Sequence, residues 1–150
     1  MTTQAQSAAD AAEIRRILAV HVVGLHDKNL EAAMAHIAAD ILCYDLAPPL
    51  VSRGADVYRR NLEAWFPTWD GPIDYEAADL EITLGDDVAF TTGLNRIGGR
   101  KVDGDTIGVW VRVTAGFRKI DGRWTLTHEH VSVPYYMDGS LKAAVDLRPA

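Results

Sequence analysis

The sequence has little cysteine and no long apolar segment. Its 150 residues contain one cysteine, Cys43, which cannot form an intramolecular disulfide and fits a reducing cytoplasm. No apolar run approaches the roughly 20 residues that a membrane span needs. The N-terminus also lacks the basic start and apolar stretch of a signal peptide. We therefore expect a cytoplasmic protein with no membrane partner.

Basic residues are scarce as well. Lysine and arginine total 15 against 21 acidic residues, for a net charge of −6. Nucleic-acid binding needs clustered basic residues, and Arg59-Arg60 is the one dense pair, so we expect no nucleic-acid partner. The sequence is 48% hydrophobic and 24% charged, which is typical of a soluble globular protein. Its length and the lack of a linker predict a single domain over residues 1–150.

The first half of the chain has the apolar spacing of helices. Steps of three and four predict a helix over about residues 8–27, with Ser7 and Asp10 as a capping box. Asn29 is the expected cap of a second helix that runs through Ile37. A short strand at 41–45 and a third helix, from Ala55 to about Phe66, follow.

The second half of the chain alternates with a period of two, as strands do. The predicted strands are 80–84, 88–97, 107–119 and 124–133. Helices followed by a strand meander predict the α+β class, with the N-terminal helices packed on one face of a curved antiparallel sheet.

This order of elements resembles the cystatin-like α+β cone of SnoaL-like polyketide cyclases, ketosteroid isomerase, scytalone dehydratase and limonene epoxide hydrolase. The resemblance covers roughly residues 10–138. Its most specific segments are 44–50, 110–114, 122–124 and 128–134, and they look like the SnoaL-like, ketosteroid isomerase-like subgroup. The resemblance implies a cone-shaped α+β barrel, but this fold hosts several activities and plain binding domains.

The resemblance also implies catalytic residues. Asp45 follows the first strand, where ketosteroid isomerase has its proton-carrying aspartate, and it could instead be a turn residue. His21 lies on helix 1 where that enzyme has an oxyanion-binding tyrosine, and it could instead be a core-edge histidine. The second acid of ketosteroid isomerase has no counterpart at 113–115. The same steroid chemistry is therefore not expected.

Two histidines, His128 and His130, share one face of the last predicted strand. We predict that one is an acid, a base or a hydrogen-bond donor in the pocket, while the other orders it or borders a dimer interface. A two-histidine, one-carboxylate metal site with Asp45 is the alternative. We expect no metal and no cofactor.

Candidate substrate-binding residues complete the set: Tyr44, Trp65, Trp110 and Arg112. Trp110 and Arg112 lie on one face of the third strand with Thr114, opposite an apolar face. We predict that this polar face, together with His128, His130 and Ser132, lines the pocket. The alternative is that the apolar face is the core and the polar face forms a dimer seam.

Two functions are compatible with these residues. The first is a small-molecule enzyme with cofactor-independent acid–base chemistry next to a carbonyl, of the isomerase, dehydratase or cyclase type, in a hydrophobic pocket. Its ligand would be a small hydrophobic or carbonyl-containing molecule. The alternative is a non-catalytic ligand-binding or association domain. Apolar residues on both faces of the late strands also predict a homodimer.

Overall fold

The computed structural model describes residues 3–150. Three helices, one short 3₁₀ turn and six strands follow one another along the chain. In order they are α1 (Gln4–His26), α2 (Leu30–Met34), β1 (Ile37–Tyr44), β2 (Ser52–Arg53), α3 (Ala55–Trp65), the 3₁₀ turn (Phe66–Thr68), β3 (Asp74–Leu84), β4 (Val88–Arg100), β5 (Thr106–Ile120) and β6 (Arg123–Ser132).

Helix α1 begins four residues before the predicted start because Thr3, not Ser7, caps it. The Thr3 side chain accepts a hydrogen bond from the backbone N–H of Gln6 at 3.1 Å. Asp10 is a buried side chain that accepts from the Trp124 indole at 3.0 Å, so the predicted capping box does not form.

Helix α2 is short, and its predicted cap is confirmed. The Asn29 side chain accepts from the backbone N–H of Ala32 at 3.1 Å. The prediction that this helix runs through Ile37 is wrong, because the helix ends at Met34 and Ile37 begins β1. Helix α2 lies against α1 at Gly24, where a Cβ would come within 2.4 Å of the Ala33 backbone nitrogen.

The six strands form one curved, unclosed mixed sheet in the order β2-β1-β6-β5-β4-β3. All neighbouring pairs are antiparallel except β1 and β6, which are parallel. The last strand, β6, pairs with the first strand, β1, so the chain crosses from one side of the sheet order to the other. The predicted α+β class, with helices followed by a cone-like sheet, is confirmed.

A β-bulge in β6 changes which side chains face the helices. Gly116 pairs with His128 and the next residue, Phe117, pairs with Leu126, so β6 carries one extra residue, Thr127. Trp124 and Leu126 therefore enter the main core before the bulge. After it, the odd-numbered residues face inward.

Two buried clusters fill the space beneath the helices. The first, which includes Ile14, Ile17, Ile41 and Phe117, joins α1 to the sheet. The second lies around α2, α3 and the 3₁₀ turn, and its buried members are Leu25, Ala33, Leu62, Phe66, Trp69 and Ile73. The candidate site opens where these clusters meet the sheet.

Candidate functional site

A cavity of about 430 Å³ opens between α1, α3 and the inner face of the sheet. Its volume lies in the range of small-molecule sites. Apolar side chains form most of its wall, and the segment after β1 forms its mouth. The lining residues are His21, Leu25, Cys43, Asp45, Leu46, Ala47, Pro48, Pro49, Ser52, Tyr58, Asn61, Leu62, Ala64, Trp65, Thr68, Tyr75, Ile97, Glu129 and Val131.

Three side chains from three elements meet on one wall of this cavity. Glu129 comes from β6 just after the bulge, His21 from α1 and Tyr58 from α3. The Tyr58 hydroxyl lies 3.4 Å from both Glu129 carboxyl oxygens and 3.3 Å from Nε2 of His21. The nearest His21–Glu129 approach, from Nε2 to Oε2, is 4.0 Å. Tyr58 therefore bridges an acid and a base.

The backbone fixes the orientation of the His21 ring. Its Nδ1 lies 2.8 Å from the carbonyl oxygen of Ala33, which can only accept, so Nδ1 carries a proton and donates. Nε2 then faces Tyr58 and Glu129 as an acceptor when the ring is neutral and as a donor when the ring is protonated. Because Tyr58 has one hydroxyl proton, it can donate to only one of its neighbours at a time.

Burial raises the pKa values of Glu129 and Tyr58 in this wall. The Glu129 side chain is 18% exposed, and desolvation raises its pKa above the ordinary value. The charge of Asp45 raises this pKa further, while His21 and the Tyr58 hydrogen bond oppose the rise. Burial and the charge of Glu129 also raise the pKa of the Tyr58 hydroxyl well above its usual value, so it remains a proton donor.

Asp45 lies at the mouth of the cavity, directly after β1. Its Oδ1 accepts a hydrogen bond from the backbone N–H of Leu46 at 2.7 Å, which fixes the carboxylate at the start of the loop. Both sequence interpretations of Asp45 are thus compatible with its position, because one oxygen holds the turn while the residue lines the cavity.

Three predicted site residues line the cavity and five do not. Asp45, His21 and Trp65 are in its wall. The other five lie on the opposite, outer face of the sheet: Tyr44, Trp110, Arg112, His128 and His130. The prediction that this polar face lines the pocket is wrong, and its stated alternative, that the apolar face is the core, describes the structure.

The bulge and the strand alternation explain this correction. On β5, Val111, Ala115 and Phe117 are buried, so the even-numbered side chains point outward. On β6, unbroken alternation would place His128 and His130 on the same face as Trp124 and Leu126. The extra residue at Thr127 shifts the alternation and turns Glu129 inward instead.

The outer residues make their own contacts. His128 donates from Nδ1 to the carbonyl oxygen of Leu42 at 2.8 Å, and its ring packs edge-on against Tyr44. Arg112 donates from Nε to Ser132 at 3.1 Å. The histidines and Asp45 lie on opposite faces of the sheet and do not form a joint ligand set. Within residues 3–150 no group of three His, Cys, Asp or Glu is placed to hold a metal ion.

Sequence reasoning missed Glu129 and Tyr58. The available signal for Glu129 was a carboxylate alternating with Val131 and Val133 on a strand face that is otherwise apolar or threonine. The sequence places Tyr58 in the third predicted helix and offers no further signal for it. Neither residue has a local motif, because their contact depends on how α3 packs across the sheet.

Helices on one side of a cone-like sheet, with an ionisable cluster in an apolar cavity, define a class of small α+β domains. The sequence profile of the SnoaL-like domain matches residues 6–136. An NTF2-like protein of unknown function from Pseudomonas putida is 30% identical, with 95% of this chain and 98% of that chain covered and a TM-score of 0.86. The chain belongs to the SnoaL-like, NTF2-like family.

Two more distant structures share the fold. A candidate dehydratase of the NTF2-like family from Streptomyces avermitilis is 18% identical over 84% of this chain and 96% of that one, with a TM-score of 0.73. The association domain of CaMKII from C. elegans is 15% identical over 83% and 95%, with a TM-score of 0.65. No curated protein matched the chain. No helix within residues 3–150 is long and apolar enough to cross a membrane.

Proposed function

We propose that the chain is a small-molecule enzyme that moves protons at a carbon next to a carbonyl, without a cofactor, in this apolar cavity. The observation that carries the proposal is the Glu129 carboxyl on the cavity wall, linked through Tyr58 to His21. Burial raises the pKa of Glu129 towards the range in which a carboxyl exchanges protons efficiently near neutral pH.

The proposed reaction begins at Asp45. Its carboxylate takes a proton from the carbon next to the carbonyl, and the electron pair of that C–H bond forms an enolate. The enolate oxygen accepts a hydrogen bond from Tyr58 or from protonated His21. Return of the proton to another carbon completes an isomerisation. Protonation of a leaving hydroxyl by Glu129 completes a dehydration instead.

The alternative is a non-catalytic ligand-binding or association domain of the same fold. The similarity to an association domain supports this alternative, but that similarity shows only a shared fold. The convergence of His21, Asp45 and Glu129 on one open cavity favours the enzyme, because a domain that only associates has no need of an open, ionisable pocket.

Isotope exchange tests this proposal directly. We would follow the exchange of the α-protons of 2-tetralone, a small bicyclic ketone, in D₂O by proton NMR. The wild-type chain should accelerate exchange, and Asp45→Asn should fold normally but lose at least about tenfold in rate, which is roughly 1.4 kcal/mol of barrier. Glu129→Gln should also slow exchange, because it removes the carboxylate that faces Nε2 of His21 at 4.0 Å and supports the protonated ring that donates to the enolate oxygen.

The matched control is Glu63→Gln, which removes an exposed carboxylate from α3 outside the cavity. It should exchange at the wild-type rate. A rate for Asp45→Asn within tenfold of this control would remove Asp45 as the proton carrier. Wild-type exchange no faster than that of buffer would contradict the enzyme proposal and favour the binding domain.

We also propose that the chain acts as one domain and as a homodimer in a reducing, cytoplasmic compartment. The exposed outer face of the sheet supports the dimer, with Arg112 and His128 as candidate interface residues. The single cysteine supports the compartment, since Cys43 is a free thiol and a chain without disulfides fits a reducing environment.

A further inference from the structure

The charges around the cavity have one sign. Two carboxyl groups line it, Glu129 in the wall and Asp45 at the mouth. Within the described residues, 3–150, no lysine or arginine lines it. The hydroxyl and amide groups of Ser52, Asn61 and Thr68 are uncharged. The Thr68 hydroxyl accepts a hydrogen bond from Lys101, but Lys101 does not itself line the cavity. An anionic ligand would therefore find no permanent cation in this wall.

His21 does not cancel this charge. One proton shared between His21 and Glu129 leaves either an ion pair or two neutral groups, and both leave Asp45 uncompensated. Without that proton, both carboxylates are uncompensated. Only protonation of both groups would offset the Asp45 charge, and low pH favours that state. The cavity is therefore expected to carry a net negative charge near neutral pH.

The two carboxyl groups also affect the pKa of three other side chains that line the cavity. After desolvation, the charge of Glu129 is the largest cause that raises the pKa of Cys43, Tyr58 and Tyr75, and Asp45 raises all three further. These groups come from β1, α3 and β3 and surround the cavity. The two carboxyl groups therefore act on side chains from three elements of the wall.

The aromatic side chains of the wall suit the same kind of ligand. Tyr58, Trp65 and Tyr75 line the cavity from two sides. An organic cation gains from aromatic faces as well as from carboxylates, and the gain is larger where water is excluded. A carboxylate or phosphate gains from neither.

We propose that the cavity takes an apolar molecule bearing an ammonium group and discriminates against anionic molecules of the same shape. This inference rests on the proposed function only in taking the cavity as the ligand site. In the isomerisation, Asp45 carries the transferred proton and the ammonium group pairs with the Glu129 carboxylate, so the substrate class becomes amine-bearing carbonyl compounds.

Three probes of matched shape test the charge preference: 4-phenylbutylammonium, 4-phenylbutan-1-ol and 4-phenylbutanoate. Their dissociation constants would be measured by calorimetry. The ammonium probe should bind at least about tenfold more tightly than the alcohol, and the carboxylate more weakly than the alcohol. Equal binding of ammonium and alcohol, tighter binding of the carboxylate, or no binding by any probe would overturn the proposal.

Variants assign the preference to the carboxyl groups. Asp45→Asn and Glu129→Gln should each reduce the ratio between ammonium and alcohol affinity, and the double variant should bring it near one. Glu63→Gln should keep the wild-type ratio. A ratio that survives in a folded double variant would also overturn the proposal. Because Asp45 is exposed, its variant remains informative even if Glu129→Gln unfolds.

The exchange assay keeps the two proposals separate, since 2-tetralone is neutral. Exchange without an ammonium preference would remove the charge preference alone. An ammonium preference without exchange would remove the carbonyl chemistry alone and leave a cation-binding domain.

Discussion

The burial of Glu129 costs folding stability and also raises the pKa of its carboxyl group. Its carboxyl is held away from water, and its nearest titratable neighbours are His21 from α1, Tyr58 from α3 and Asp45 after β1. A buried carboxylate without a full salt bridge destabilises a fold when it ionises. The same raised pKa suits the proton-donating role that we propose for Glu129.

The stability of the fold should therefore depend on pH through Glu129. Its folded pKa is raised, so the native state binds more protons than the unfolded state above pH ~4, and stability falls as pH rises towards the folded pKa. Glu129→Gln removes this titration. Urea unfolding at pH 4, 5, 6 and 7 should show the variant gaining stability relative to wild type as pH rises, until the folded pKa of Glu129 is passed.

Glu63→Gln supplies the comparison for that series. Its carboxylate is exposed, so its free energy of unfolding should differ from wild type by an amount that does not change with pH. A pH-independent difference for Glu129→Gln would show that this carboxyl has the same pKa in both states and would contradict its assigned environment.

At the scale of elements, the sequence predicted the helices and strands with regular apolar spacing but not the β-bulge in β6. The spacing of Ile14, Leu18 and Leu25 indicated the inward-facing stripe of α1, and Asn29 indicated the start of α2. The bulge at Thr127 has no sequence signature here, because an extra strand residue depends on pairing with β5. That one residue decides whether His128 or Glu129 faces the cavity. His21 and Trp65 were therefore predicted, whereas Glu129, which depends on the bulge, and Tyr58, which depends on the packing of α3, were not.

The contact of α1 with α2 depends on Gly24. Alanine would normally favour a helix interior by about 0.5–1 kcal/mol over glycine. Here its Cβ would lie 2.4 Å from the backbone nitrogen of Ala33, so α2 must move. Because the Ala33 carbonyl holds Nδ1 of His21, the displacement reaches the site.

Gly24→Ala should therefore destabilise the fold by about 1–3 kcal/mol, the usual cost of overpacking. Thermal and urea unfolding would measure the loss, and the slowed exchange of 2-tetralone would report the disturbed histidine. Val23→Ala, at the exposed neighbouring position, should leave the exchange rate unchanged. An increase in stability for Gly24→Ala would show that α2 yields without cost and that the close approach is unimportant.

At the scale of the whole molecule, the sheet has one covered face and one open face. The open face extends over four strands, β4, β5, β6 and β1. Neighbouring residues on adjacent strands form rows of aromatic, polar and cationic side chains. One row runs from Thr92 through Thr114 and His130 to Tyr44, and the next contains Leu94, Arg112 and Ser132. Phe90 remains 47% exposed on the same face. Tyr44 on this face is 39% exposed as well, and soluble monomers tend to cover exposed aromatic surface.

A second copy of the chain is the expected cover, with the two open faces packed together. Light scattering at micromolar concentration should then give twice the chain mass. Thr114→Arg places a long cation beside Arg112 near the middle of this face, and it should give the single-chain mass with an unchanged circular dichroism spectrum. Val23→Arg, an equal change on exposed α1, should remain a dimer. A single-chain mass for the wild type would remove the homodimer, and the outer histidines and Arg112 would then remain solvent-facing side chains with no part in an interface.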